Sequence, residues 1–234
     1  MTDRDSGSND EAVGGDPAGA ARPSVPVALA AGAALFNEGH PLAARDVWET
    51  AGGSLDDGDA KRLLRGLAAT AAAREGAADA DPEAAERAET AVGLLDDVSD
   101  PHGATLVPVR EWAERLAAGA GSAGSEAADS SDADPAEAPR IRVDDGAPRF
   151  DGLSLDAVRL AAPALARAGE PGDAEAIATA ADLAEAERGT GRSRFAELLF
   201  AYLRTPETRP QVAARLGDHV AIEERKRRDV DDLF

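Results

Sequence analysis

The chain has 234 residues and sets 45 Asp plus Glu against 25 Lys plus Arg, a formal charge of −20. It has no cysteine, which excludes disulfides, thiolate metal sites, iron–sulfur clusters and cysteine nucleophiles, and its first residues have neither the basic start nor the apolar centre of a secretory signal. The longest apolar run, Val25 to Phe36, is about half of the roughly 20 residues that a bilayer span needs, so a soluble, cytoplasmic protein with no membrane partner is expected.

In chain order, residues 1 to 22 carry five acidic residues, two arginines and almost nothing large and apolar. Such a segment cannot bury enough surface to offset its chain entropy and predicts a disordered acidic tail. A helical domain then spans 23 to 118. Ser24 and Pro26 suit a helix start, and Leu29, Ala33 and Phe36 continue it until Gly39, which can take the left-handed conformation just past a helix end. Pro41 pre-sets the next helix, whose apolar face is Ala44, Val47, Trp48 and Ala51. The spacing of Gly32, Gly39, Ala44, Trp48 and Ala51 fits one tetratricopeptide-like helical hairpin in which small residues let the paired helices approach, and no second copy of it follows. Further helices are predicted from Asp59 to about Glu75, from Asp81-Pro82 to near Asp100-Pro101, and from Pro108 through Trp112 to Leu116.

Residues 119 to 139 hold five acidic residues, no basic one and no large apolar side chain, the composition of a flexible acidic linker. After it, 140 to 234 predicts a second small helical region. It opens with a hairpin-like turn at Asp145-Gly146 and continues in helices near 154 to 168, 173 to 188, 193 to 204 and 210 to 227. Pro163 predicts a kink or break in the first of these, because a proline inside a helix costs about 3 kcal/mol. The expected fold class is all-α, a helical bundle.

Residues 35 to 49, Leu-Phe-Asn-Glu-Gly-His-Pro-Leu-Ala-Ala-Arg-Asp-Val-Trp-Glu, together with Leu63-Leu64-Arg65-Gly66-Leu67, resemble the signature of the bacterial and archaeal family called domain of unknown function 309. That family's usual pattern reads Phe-Asn, Gly, then Ala-His-Glu and a second Glu, followed by Gln-Gly-Leu. The resemblance covers about residues 28 to 98. Arg45 and Asp46 stand where the family has His and Glu, Glu49 keeps the later acidic position, Arg65 replaces Gln before Gly66, Ala69 occupies a second Gln position, and Arg74 falls at a downstream His. The rest of the chain looks like the C-terminal extension of halophilic members, and the resemblance implies no particular activity.

Asp46 and Glu49, three apart on one helix, share a face and could hold a hard cation or act as an acid and base pair, while Arg45, Arg65 and Arg74 could converge on a phosphate or carboxylate. Internal ion pairing among these five residues is the plainer expectation. His40, His102 and His219 follow no ligand spacing, and Gly52-Gly53 and Gly189-Thr190-Gly191 lack the strand and lysine of a phosphate loop, so neither a metal nor a cofactor is expected. Trp48 and Trp112 read as core residues. Arg225-Lys226-Arg227-Arg228 sits where cations offset the negative end of a helix, and nucleic acid is not an expected partner given the acidic residues on either side. The last six residues place Val230, Leu233 and Phe234 at helical spacing among three aspartates, which suits either a peptide that docks on a partner or a chain end that docks on its own bundle. These features point to a non-enzymatic scaffold or protein-interaction module with an unidentified protein partner. The alternative is an enzyme or anion-binding protein using Arg45, Asp46, Glu49, Arg65 and Arg74.

Lysine occurs only at Lys61 and Lys226. Low lysine with strong acidity is a halophile's profile: molar salt shortens the screening length to about 3 Å and removes the self-repulsion that a net charge of this size imposes on a compact state. Helicity followed by circular dichroism is therefore expected to be full in molar potassium chloride and to fall on dilution. Helicity unchanged in dilute buffer would show that packing alone tolerates the charge.

Overall fold

The computed structural model of the protein describes residues 23–119 and 137–231. The expected tail at 1 to 22, most of the linker and the last three residues lie outside the described residues. Nine α-helices occur among the described residues: α1 (Val25–Asn37), α2 (Pro41–Gly53), α3 (Asp59–Ala78), α4 (Ala84–Asp96), α5 (Val107–Gly119), α6 (Leu155–Arg167), α7 (Ala174–Ala186), α8 (Arg194–Arg204) and α9 (Arg209–Asp231). The all-α expectation holds. Consecutive helices α1 to α5 pack pairwise, α6 to α9 form a second group, and α1 and α2 both pack on α6.

The helix ends follow from local chemistry. Gly39, at φ +90, closes α1: the His40 N–H reaches the Leu35 carbonyl at 2.9 Å and the Gly39 N–H reaches Phe36 at 3.2 Å. This is the Schellman arrangement, which places His40 immediately beyond the glycine. The end of α6 repeats it with Gly169 at φ +103, the Glu170 N–H donating to the Leu165 carbonyl at 3.2 Å. Ser154 and Asp173 cap α6 and α7 by accepting from the N–H groups of Ala157 and Ala176. Asp81-Pro82 forms a turn, and α4 begins at Ala84, two residues later than the proline suggests. Of the expected hairpin-like turn, two isolated bridges at Val143 form, with Asp144 and Asp145 both at positive φ.

Pro163 does not break α6, which runs unbroken from Leu155 to Arg167. The buried face of Ala157, Val158, Ala161, Ala162, Ala164 and Leu165 holds it in place. What the proline changes is local. It has no N–H, so the carbonyl of Arg159 loses its helical donor.

The main core is continuous across both groups of helices, from Ala28 in α1 to Val220 in α9, and Ile141 of the connecting segment is buried in it. A smaller cluster joins Ala73, Ala88, Ala91, Trp112 and Ala113 between α3, α4 and α5. The two halves thus share one core. Large side chains are few, and the helices close the remaining space by approaching each other. Trp48 of α2 lies across Gly32 of α1 so closely that a Cβ on Gly32 would stand 2.3 Å from the indole, and one on Gly66 of α3 would stand 2.5 Å from Leu95 of α4.

That geometry separates two chemically identical substitutions. Gly32→Ala must displace the buried indole and is expected to cost about 1–3 kcal/mol. Gly93→Ala, in the exposed face of α4 with nothing within 4 Å of the new Cβ, should stabilise by roughly 0.5–1 kcal/mol. Melting temperatures moving in opposite directions would bear this out, and equal shifts would contradict the close approach.

Candidate functional site

The five polar residues singled out in the sequence do not converge. Arg45 pairs with Glu49 one turn along α2, Nε to Oε1 at 2.7 Å, both side chains exposed. Asp46 leaves them and accepts from Arg167 of α6, Nη2 at 2.6 Å and Nε at 3.0 Å, bridging the two halves. Arg65 is exposed at a small hollow of about 210 Å³ shared with Asp57, Lys61 and Arg62. Arg74 packs its guanidinium over the Phe36 ring, 4.5 Å from the centroid, and donates to the Phe36 carbonyl at 2.5 Å. Burial lowers its pKa from the ordinary arginine value, with Glu75 partly offsetting the effect. Arg45, Asp46, Glu49, Arg65 and Arg74 thus meet at no common cation or anion site: they make three separate contacts, and Arg65 stands exposed. Of the tail motif, Val230 is exposed, and Leu233 and Phe234 lie outside the described residues. Among the described residues, no group of three or more His, Cys, Asp or Glu side chains is placed to hold a metal ion.

Polar groups instead gather around the α1–α2 turn. Asn37 grips the segment before α6 with three hydrogen bonds: its Nδ2 donates to the carbonyls of Ile141 at 2.9 Å and Pro148 at 3.1 Å, and its Oδ1 accepts from the Ile141 N–H at 2.8 Å. Glu38 pairs with Arg149 at 2.9 Å. His40 stacks on Phe150, centroids 6.0 Å apart, with Nδ1 3.6 Å from Glu170. The two residues that follow the Schellman glycines of α1 and α6 thus face each other.

Glu170 also accepts from Arg209 Nη1 at 2.5 Å. Arg209, at the start of α9, is 2% exposed and donates from Nε to the Tyr202 carbonyl at 3.0 Å. The Tyr202 hydroxyl is buried without a hydrogen-bond partner, and burial pushes its pKa up to about 12. Burial likewise holds His40 below the usual histidine range, outweighing the upward pull of Glu170, while Arg209 adds to the depression and Glu38 opposes it. Perturbed groups can mark chemistry. Here the geometry is that of a clamp, because Glu170 is already engaged and His40 is sandwiched between it and Phe150. His40 reads from sequence only as a turn residue before Pro41, and Arg209 only as a residue preceding Pro210, since their partners lie far away in the chain.

A cleft of about 680 Å³ lies between the start of α1, the end of α2, and α6 with α7. Its floor is apolar, with Val27, Leu160, Pro163, Ala178 and Ala181. Its rim alternates in charge. Arg159 donates to the Ala181 carbonyl at 2.9 Å and to Glu185 at 2.9 Å, Arg188 pairs with Glu185 at 2.8 Å and with Asp156, and Arg167 is the partner of Asp46. Asp182, 80% exposed, makes a 3.6 Å contact with Arg159 and no other ion pair among the described residues. The sequence gives no sign of this cleft, because its walls come from stretches more than a hundred residues apart.

No protein-family model, curated protein or solved structure matches the chain. Among the described residues no helix is long and apolar enough to cross a membrane.

Two outcomes test the clamp. Glu170→Gln leaves the buried Arg209 guanidinium without its carboxylate and is expected to cost about 1.5–3 kcal/mol. For His40 the sign follows from linkage. Its folded pKa lies below the unfolded value of 6.5, so the unfolded chain binds the proton first. The stability due to the neutral ring is complete above that pH and is lost as pH falls through the folded value. The difference in stability between the protein and its His40→Gln variant should therefore narrow as the solution is acidified below pH 6.5. A constant difference would mean that the ring is not held neutral.

Proposed function

We propose that this protein is a non-enzymatic interaction module of the cytoplasm of a high-salt cell, and that its working surface is the cleft between α1, α2, α6 and α7. The observation that carries the reading is the cleft itself: about 680 Å³, apolar along the floor and ringed by charges of both signs, a shape and chemistry suited to a polypeptide segment. Of the five polar residues that an enzyme or anion-binding protein would have used, Asp46 and Arg74 tie helices together, Arg45 and Glu49 pair within α2, and Arg65 is exposed, so they meet at no common point, which favours a scaffold over a catalyst. The resemblance of residues 28 to 98 to the domain of unknown function 309 family belongs to the same proposal and supplies the hairpin, not an activity. Low lysine and a charge of −20 support the high-salt setting.

A photo-crosslinking side chain placed at Ala178, on the floor, tests the reading against one placed at the exposed Glu114 of α5. In native salt, polypeptide adducts are expected from position 178 and not from 114. Equal labelling from both positions, or none from either, would remove the cleft as an interaction surface.

A further inference from the structure

We infer that Asp57 is the residue at which this chain converts to isoaspartate, through a ring closed by the amide of Gly58. The site is separate from the cleft and does not depend on what the protein binds.

Three Asp-Gly pairs occur in the sequence, Asp57-Gly58, Asp145-Gly146 and Asp151-Gly152. Glycine has no Cβ to shield its amide nitrogen from the carboxyl of the residue before it, so by residue type the three pairs are equivalent. The fold separates them. The Gly146 N–H donates to the Val143 carbonyl at 3.0 Å, in a turn closed a second time by the Val143 N–H on the Gly146 carbonyl at 2.8 Å, and the Gly152 N–H donates to the Arg149 carbonyl at 3.1 Å. The Gly58 N–H has no acceptor among the described residues. Gly58 is extended, φ 170 and ψ −175, and nothing stands within 4 Å of the position a Cβ would take there, so the space beside that amide is open. The Asp57 side chain is 96% exposed, and its hydrogen-bond partner is Lys61, Nζ to Oδ1 at 2.9 Å, a surface pair of the kind that opens readily. Exposure of the carboxyl alone does not distinguish the pairs, since the Asp151 side chain is 86% exposed. The freedom of the following amide does.

The Gly58 nitrogen attacks Asp57 Cγ and forms the new N–Cγ bond. Its proton passes to solvent, and one carboxyl oxygen leaves as water with protons drawn from solvent, which closes a five-membered succinimide. Water then adds to the ring at the former main-chain carbonyl of Asp57 and breaks its bond to the Gly58 nitrogen. The chain now runs through Cβ and Cγ, and the old carbonyl carbon becomes the free carboxylate. One water is lost and one gained, and nothing is oxidised or reduced. An amide already donated to a carbonyl must first give up that bond, which slows the attack at the other two pairs about fivefold. The added main-chain atom falls two residues before Asp59, whose Oδ2 accepts from the N–H groups of Ser99 at 3.1 Å and Asp100 at 3.0 Å. Conversion therefore acts on the start of α3 and on its tie to the segment that follows α4.

Ageing the full chain in molar potassium chloride made up in heavy-oxygen water, followed by cleavage after Lys and Arg, tests this. The three pairs fall in separate peptides, 46 to 61, 143 to 149 and 150 to 159. Each conversion leaves one heavy oxygen in its peptide, and an isoaspartyl methyltransferase with a labelled methyl donor counts the isoaspartate formed. In the folded chain, peptide 46 to 61 is expected to convert about fivefold faster than either of the others, with fragmentation placing the label at Asp57. In a parallel sample unfolded in guanidinium chloride the turns are gone and the three peptides should convert at comparable rates. Gly58→Ala, which restores a Cβ beside the attacking nitrogen in open space, should slow the first peptide several-fold and leave the other two unchanged. Equal conversion of the three peptides in the folded chain, or faster conversion of 143 to 149 or of 150 to 159, overturns the inference. So does a folded chain with no isoaspartate at Asp57 by the time the unfolded sample has converted, or an undiminished rate in Gly58→Ala.

Discussion

Close approach between helices is the constraint on which this structure depends. A chain that is 3% aromatic has few large side chains with which to fill a core, and alanine is the commonest buried residue. Burial must then come from bringing backbones together, and at two places a large side chain fits because the facing helix has no Cβ. Trp48 over Gly32 sets the spacing of α1 and α2, and Leu95 over Gly66 sets that of α3 and α4. The indole is fully buried, and its Nε1 has no hydrogen-bond partner, so shape rather than polarity fixes its position. An alanine-rich interior packed this way loses contact energy steeply with small displacements.

The hairpin that this spacing creates is also the junction of the molecule. Phe36, Asn37, Glu38 and His40 lie around one turn and engage α3, the segment before α6, the residues near Phe150 and the start of α9, respectively through Arg74, Ile141 with Pro148, Arg149, and Glu170 with Arg209. The ion pair of Arg209 with Glu170 is costly to desolvate and, once formed, costly to break. It therefore contributes more to fixing how α9 sits on the end of α6 than to net stability. Docking of the two halves creates the cleft, whose walls are α1 and α2 from one half and α6 and α7 from the other.

Much of the fold was legible in sequence because the signals are local. Pro26, Gly39, Pro41 and Pro108 mark helix boundaries through backbone chemistry alone, and the apolar spacing of Phe195, Leu198, Leu199 and Tyr202 along the sequence marks a face of α8 that is buried except at the half-buried Leu198. Pro163 does not break α6, because the local penalty is outweighed by the packing of that helix, which no window of sequence contains. The grouping of Arg45, Asp46, Glu49, Arg65 and Arg74 failed for a related reason. Helical spacing shows which residues share a face but not which neighbour that face meets, and Asp46 found Arg167, 121 positions away. The clamp of His40, Glu170 and Arg209 and the rim of Arg159 and Arg188 were invisible for the same cause, since ion pairs between distant segments leave no periodic trace.

That one core unites both halves around the α1–α2 turn can be measured directly. Both tryptophans, Trp48 and Trp112, lie in the first half, so their fluorescence reports that half alone, while far-ultraviolet circular dichroism reports helices throughout. Denaturant unfolding in molar salt should give superimposable transitions by the two probes, as a single cooperative unit requires. A tryptophan transition with its midpoint displaced from the loss of helicity would mean that the halves unfold independently and that the shared core does not hold them together.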